Sequence, residues 1–227
     1  MKTKLTKQEK NWILYDVGNS AFTLLAATIL PIYLNYIAGK QRLSDVQYLA
    51  YWGYAVSIAT LLTALAGPVF GTVADTKGYK KPVFTIALGI GTIASVALGF
   101  AKYWLAFLVV FVIAKVGYSV TLVFYDSMLV DVTSEDRMDE VSSQGYAWGY
   151  IGSCVPFVIC LLVVLNAGKI GITMETAMMV SFVIITVWWV IMTLPLLKTY
   201  HQKYYVEKKQ HAFSESFKRI GITLKNV

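Results

Sequence analysis

Six apolar runs, each about 20 residues or longer, constrain this chain more than any other feature. They cover residues 12–37, 49–74, 82–101, 103–130, 143–165 and 175–197, to within a few residues at each end. A stretch that long in hydrocarbon must satisfy its backbone N–H and C=O groups internally, which a helix does. Charged residues are only 15% of the 227 and hydrophobic ones 57%, against roughly 25% charged in soluble domains. The expected fold class is therefore an all-α membrane protein with six transmembrane helices. An even number of crossings leaves both termini on one side.

The lysines say which side. Lys2, Lys4, Lys7 and Lys10 precede span 1; Lys77, Lys80 and Lys81 follow span 2; Arg137 follows span 4; Lys198 and six further basic residues follow span 6. The alternate loops hold only Lys40, Arg42, Lys102 and Lys169. The positive-inside rule then puts both termini in the cytosol, with the cell membrane as the expected location. A net charge of +7 spread by loop in this way implies topology and membrane lipid, and no nucleic-acid partner. Trp12, Trp52, Trp104 and Trp148 are expected near span ends, where indoles favour the headgroup region. Span 1 ends in Pro31–Asn35 without a small-residue cleavage site, so it is not a signal peptide. Cys154 and Cys160, His201 and His211 have no spacing that builds a metal site, a disulfide or a redox motif. No Walker motif or nucleophile–base pair occurs either, and the expectation is no enzyme, no cofactor and no metal.

The chain divides into a cytosolic segment (1–11), the six-helix domain (12–198) and a basic tail (199–227). In the tail, Phe213, Phe217, Ile220 and Leu224 form one apolar stripe flanked by Lys218, Arg219 and Lys225, the pattern of an amphipathic helix on an anionic membrane surface. Two short polar stretches stand out on the same side. One holds Gly71, Asp75, Gly78, Lys80 and Lys81. The other, residues 131–142, sets Asp131, Glu135, Asp136, Asp139 and Glu140 around Arg137. A charge latch between them is expected, with Asp75 as the anchor for a facing helix end or for Arg137.

The stretch Gly71-Thr-Val-Ala-Asp75-Thr-Lys77-Gly78-Tyr-Lys80-Lys81-Pro82 resembles the loop between helices 2 and 3 of major facilitator superfamily transporters. Trp12-Ile-Leu-Tyr15-Asp16-Val-Gly18-Asn19-Ser20-Ala21-Phe22 resembles the opening of the first helix in the vacuole-effluxer-like branch of that superfamily. Phe124-Tyr125-Asp126 and Val141-Ser-Ser143-Gln-Gly145-Tyr-Ala147-Trp148-Gly149-Tyr150-Ile-Gly152 are similar to two further segments of the branch, in the same order. Asp126 stands where the branch has an amide, and Lys115 where it has an uncharged residue. The resemblance implies one N-terminal six-helix half of a twelve-helix secondary transporter, moving a small solute such as an amino acid. The partner it implies is a second six-helix half, or a second copy of this chain. The alternative, from another class, is a free-standing six-helix scaffold that binds a partner through its tail.

Lys115 is the sharpest single residue. It lies about 16 Å into span 4 at 1.5 Å per residue, where a lysine usually faces a cavity or a partner. Asp126, three turns on, shares its face with Ser119. On span 1, Asp16, Asn19, Ser20 and Thr23 make a small polar face. Helices 1 and 4 line the cavity in the superfamily, so these faces are expected to meet there, with Lys115 touching solute. A first-turn helix position also accounts for Asp16 through the helix dipole. Gly145, Gly149 and Gly152 read as small residues for close helix packing, and Gly71 likewise.

Overall fold

The computed structural model describes residues 4–207. Six long helices cross it: α1 (Lys7–Lys40), α2 (Asp45–Asp75), α3 (Lys80–Ala97), α4 (Trp104–Val132), α5 (Met138–Leu165) and α6 (Met174–Thr199). Short 3-10 turns, Leu98–Phe100 and Glu135–Arg137, lead into α4 and α5. All six helices are long and apolar enough to span a bilayer. The expected all-helical, six-span architecture is what the chain builds. The amphipathic tail helix falls beyond residue 207 and lies outside the described residues.

The helices run past the apolar stretches at several ends, because caps rather than hydropathy stop them. At α1, Thr6 and Glu9 form a reciprocal capping box: Glu9 N–H donates to Thr6 Oγ1 and Thr6 N–H donates to Glu9 Oε2. Ser44 and Gln47 do the same for α2. Such boxes satisfy N–H groups that a helix start otherwise leaves open. The early start of α1 alters one expectation. Asp16 is in the third turn of α1, and a dipole effect confined to the first turn does not explain a carboxylate there. Trp148 is likewise ten residues into α5 rather than at its end.

Helix α1 is the axis of the bundle. It packs along α5 and α6 and also meets α4 and α2, while α3 packs on α4 and α6. Tyr15, Phe22, Leu25 and Leu30 on α1 are fully buried, together with Phe84, Phe107, Phe111, Phe124, Phe182 and Trp189 from its neighbours. In contrast α2 and α5 carry Leu61, Leu62, Leu65, Val155, Ile159 and Leu162 exposed on their outer faces. Helices α3 and α4 cross backbone to backbone, where a methyl group on Gly117 would come 2.8 Å from Gly91 N. Gly71 makes no such approach: a methyl group there would meet nothing within 4 Å. The close contact expected of it is absent among the described residues, since the neighbouring helix faces stand clear of that turn.

Candidate functional site

Two polar assemblies occupy the end of the bundle that carries the N-terminus. The first is a hub around Asp131, in the last turn of α4 and 1% exposed. The sequence places this residue in a polar loop. The helix instead continues through it and turns it inward. Lys80 Nζ, from the first residue of α3, lies 2.9 Å from Asp131 Oδ2 and donates also to Ser127 O. Tyr200 O–H donates to the same carboxylate oxygen at 2.5 Å. Lys203 N–H and Tyr204 N–H donate to Asp131 Oδ1 at 2.8 and 2.9 Å. Burial first, and the Asp131 carboxylate second, raise the Tyr200 phenol far above its ordinary pKa, which keeps it protonated and donating.

Residues 200–207, just past α6, are thereby laid over the α2–α3 turn. Gln202 Nε2 donates to Ala74 O and Thr76 O, and Gly78 N–H donates back to Gln202 Oε1. Val206 N–H donates to Asp75 O at 2.7 Å, and Lys77 N–H to Val206 O. Lys77 pairs with Glu207, whose carboxylate raises the pKa of the exposed Lys77 ammonium. Gly78 takes a φ of +77°, a backbone shape that glycine adopts at little cost.

The latch partners therefore differ from those expected. Asp75 is exposed and, among the described residues, offers only its backbone carbonyl to the tail. Arg137 pairs with Glu9 of α1 at 3.2 Å and approaches Glu140 at 4.0 Å, because the capping box holds Glu9 beneath the α4–α5 turn. Lys81 is exposed, one position beyond the buried Lys80.

The second assembly is a polar cavity of about 390 Å³ among α1, α4 and α5. From α1 come Trp12, Asp16, Asn19, Ser20, Thr23 and Leu24, on one face by helical spacing. Helix α4 contributes Tyr118, Leu122, Tyr125 and Asp126, and α5 contributes Ser142, Tyr146, Tyr150 and Ser153. The first wall is hydrogen-bonded to the second. Thr23 O–H donates to Tyr118 Oη at 2.7 Å, and Tyr118 O–H reaches Asn19 Oδ1 at 3.5 Å. Asn19 Nδ2 donates to Asp16 Oδ1 at 3.3 Å. Trp12 stacks on Tyr125 at 4.1 Å between ring centroids and donates its Nε1–H to Tyr125 O.

Gly149 sets the separation of α1 and α5. A methyl group there would sit 2.8 Å from Asp16 Oδ2 and 3.1 Å from Ser20 Oγ. Gly145 and Gly152 lie against Trp12 and Val17 in the same seam.

The structure thus brings Asp16, Asn19, Ser20, Thr23 and Asp126 to one cavity. It does not bring Lys115 or Ser119 there. Lys115 Nζ lies 4.8 Å from the centroid of the Tyr118 ring, so the ring stands beside it and Tyr118 reaches the cavity with its hydroxyl. Lys115 and Asp126 share a face of α4 but stand about 16 Å apart along its axis, and the cavity meets α4 only from Tyr118 to Asp126. The tyrosines Tyr118, Tyr125, Tyr146 and Tyr150 escape a search for charge. Tyr118 and Tyr125 stand seven residues apart on α4 and Tyr146 and Tyr150 four apart on α5, and those helical spacings were the available signal.

The family model described as "Vacuole effluxer Atg22 like" matches this chain over residues 40–137 and 130–227. A curated relative, the uncharacterized MFS-type transporter YxiO of Bacillus subtilis (strain 168), is 39% identical over 232 residues. That alignment covers 100% of this chain and 54% of the relative, so the chain spans about half the length of the curated relative it matches.

Proposed function

The chain belongs to the vacuole effluxer Atg22-like family of major facilitator transporters, and from that premise we propose that it forms one half of a secondary active transporter. The half moves a small polar solute, amino acids included, by alternating access. The observation that carries this reading is the cavity of about 390 Å³. Eleven of its side chains are polar or phenolic, inside a bundle whose outer faces are apolar. A scaffold needs no such hollow, and polar groups at membrane depth mark solute and ion pathways.

A second six-helix half, or a second copy, closes the cavity. Asp126, Tyr146 and Tyr150 are exposed in this bundle; the two tyrosines pair with each other, but Asp126 facing lipid would lack a hydrogen-bond partner. The length of the curated relative supports the same arrangement. Both termini lie in the cytosol of a cell-membrane protein, by the lysine distribution across the loops. The cavity and the Asp131 hub then share the cytosolic end.

The test is solute-protected labelling together with counterflow. In a background with Cys154 and Cys160 replaced by serine, a cysteine at Thr23 should react with a maleimide, and a transported solute should slow that reaction. Reporters fused at residue 5 should read cytosolic and those at residue 42 external. The isolated, strictly monomeric chain should show no saturable uptake in liposomes. Unchanged labelling across a broad solute panel, with no counterflow in cells, overturns the proposal.

A further inference from the structure

We propose that the cavity among α1, α4 and α5 binds the protonated amino group of its solute, with Asp16 and Asp126 as counter-charges and the Tyr125 hydroxyl as a further hydrogen-bonding group. This rests on the transport reading above and gives its solute a chemical class.

The charge balance of the bundle points there. Glu9 pairs with Arg137, Asp131 with Lys80, Glu175 with Lys40 and Glu207 with Lys77. Asp16 and Asp126 line the cavity, and neither has a cation partner among the described residues. Asp16 receives one amide N–H, from Asn19, at 3.3 Å. Lys115, eleven residues before Asp126 on α4, is turned to the Tyr118 ring and stands outside the wall.

Tyr125 supplies the independent observation. It is 4% exposed and lines the cavity, yet its hydroxyl has no hydrogen-bond partner. Buried phenols almost always have one. Trp12 stacks on its ring, and Tyr118, Tyr146 and Tyr150 add further rings to the cavity wall.

This set matches an ammonium group closely. An alkylammonium carries three N–H donors and no acceptor. Carboxylates take two in charge-assisted hydrogen bonds, and the phenol oxygen accepts the third. The electron-rich faces of tryptophan and tyrosine attract the remaining positive charge. A carboxylate or phosphate ligand would meet two like charges here instead. A bare metal ion such as sodium would compete for the same carboxylates and hydroxyls but gain nothing from the three-donor fit, and the experiment below separates it from an ammonium. The ammonium head belongs equally to a simple amine and to an amino acid, and these two sources are separated by experiment.

The test uses membrane vesicles from cells producing the full-length protein, with vesicles lacking it as the blank. The probe is tritiated phenethylamine; the competitors are phenylalanine, 2-phenylethanol, phenylacetate and sodium chloride. Saturable phenethylamine binding is expected, undisturbed by the neutral alcohol, the anion or sodium. Competition by phenylalanine assigns the head to an amino acid, and its absence assigns it to an amine. Asp16→Asn and Asp126→Asn should each weaken binding about tenfold or more, and Tyr125→Phe should weaken it by a smaller factor. Each variant's thermal unfolding in detergent serves as the folding check.

The inference is overturned by absence of amine binding above the blank, by equal binding of 2-phenylethanol, by displacement with sodium alone, or by full affinity in both asparagine variants. Counterflow of a neutral solute that survives Asp16→Asn and Asp126→Asn removes the ammonium site and leaves transport standing. Carboxylate-dependent amine binding without counterflow does the reverse.

Discussion

Asp131 and Asp126 stand five residues apart on one helix and lead opposite lives. Asp131 accepts from an ammonium, a phenol and two backbone N–H groups, and both its oxygens are occupied. Asp126 has no such set; it opens onto a cavity with Asp16 and an unpartnered phenol. A buried charge is tolerated when its surroundings satisfy it completely. The hub meets that condition from within the chain and therefore serves architecture. It ties α3 and α4 to the segment after α6. Asp126 is exposed on the cavity wall rather than buried, and under the ligand reading its counter-charge comes from a solute. The contrast separates a charge that holds the fold from one that waits for a ligand.

Removing the hub should produce the largest effect. Asp131→Ala leaves Lys80 buried without its counter-ion, a loss of about 3–5 kcal/mol, read as a large drop in the detergent melting temperature. The pair Lys80→Met with Asp131→Leu should recover much of it. If the double variant is no better than Asp131→Ala, the Tyr200 and backbone hydrogen bonds outweigh the ion pair. Tyr200→Phe deletes one hydrogen bond to a charged group and should cost about 1.5–3 kcal/mol. Proteolysis after residue 200 should also become faster, because that phenol helps hold residues 200–207 on the α2–α3 turn.

Gly149→Ala tests the cavity seam. Its methyl group overlaps the Asp16 carboxylate, and overpacking of this kind costs about 1–3 kcal/mol. Solute protection of a cysteine at Thr23 should fall more than the melting temperature does. Asp126→Asn should have the smallest effect on stability, within about 0.5 kcal/mol as for an ordinary exposed substitution. A melting loss as large as that of Asp131→Ala would erase the distinction between the two carboxylates and with it the ligand reading.

The sequence by itself determined the six crossings, since hydrocarbon forces every long apolar run to close its own hydrogen bonds. It also determined the polar face of α1, where Asp16, Asn19, Ser20 and Thr23 follow from helical spacing alone, and the family, through the motifs around Trp12, Gly71 and Gly145. Tertiary structure alone decided which charges meet. Lys80 and Lys81 are adjacent in sequence, but one turns inward to Asp131 and the other faces out. Arg137 finds Glu9, 128 positions away, because a capping box at the start of α1 fixes Glu9 beneath it. Lys115 falls outside the cavity, with its ammonium set against the Tyr118 ring, a placement that no count of residues along α4 reveals. Spacing sets the face of a single helix; the partner across the gap depends on how neighbouring helices are rotated and how deeply they sit, and those are settled by packing.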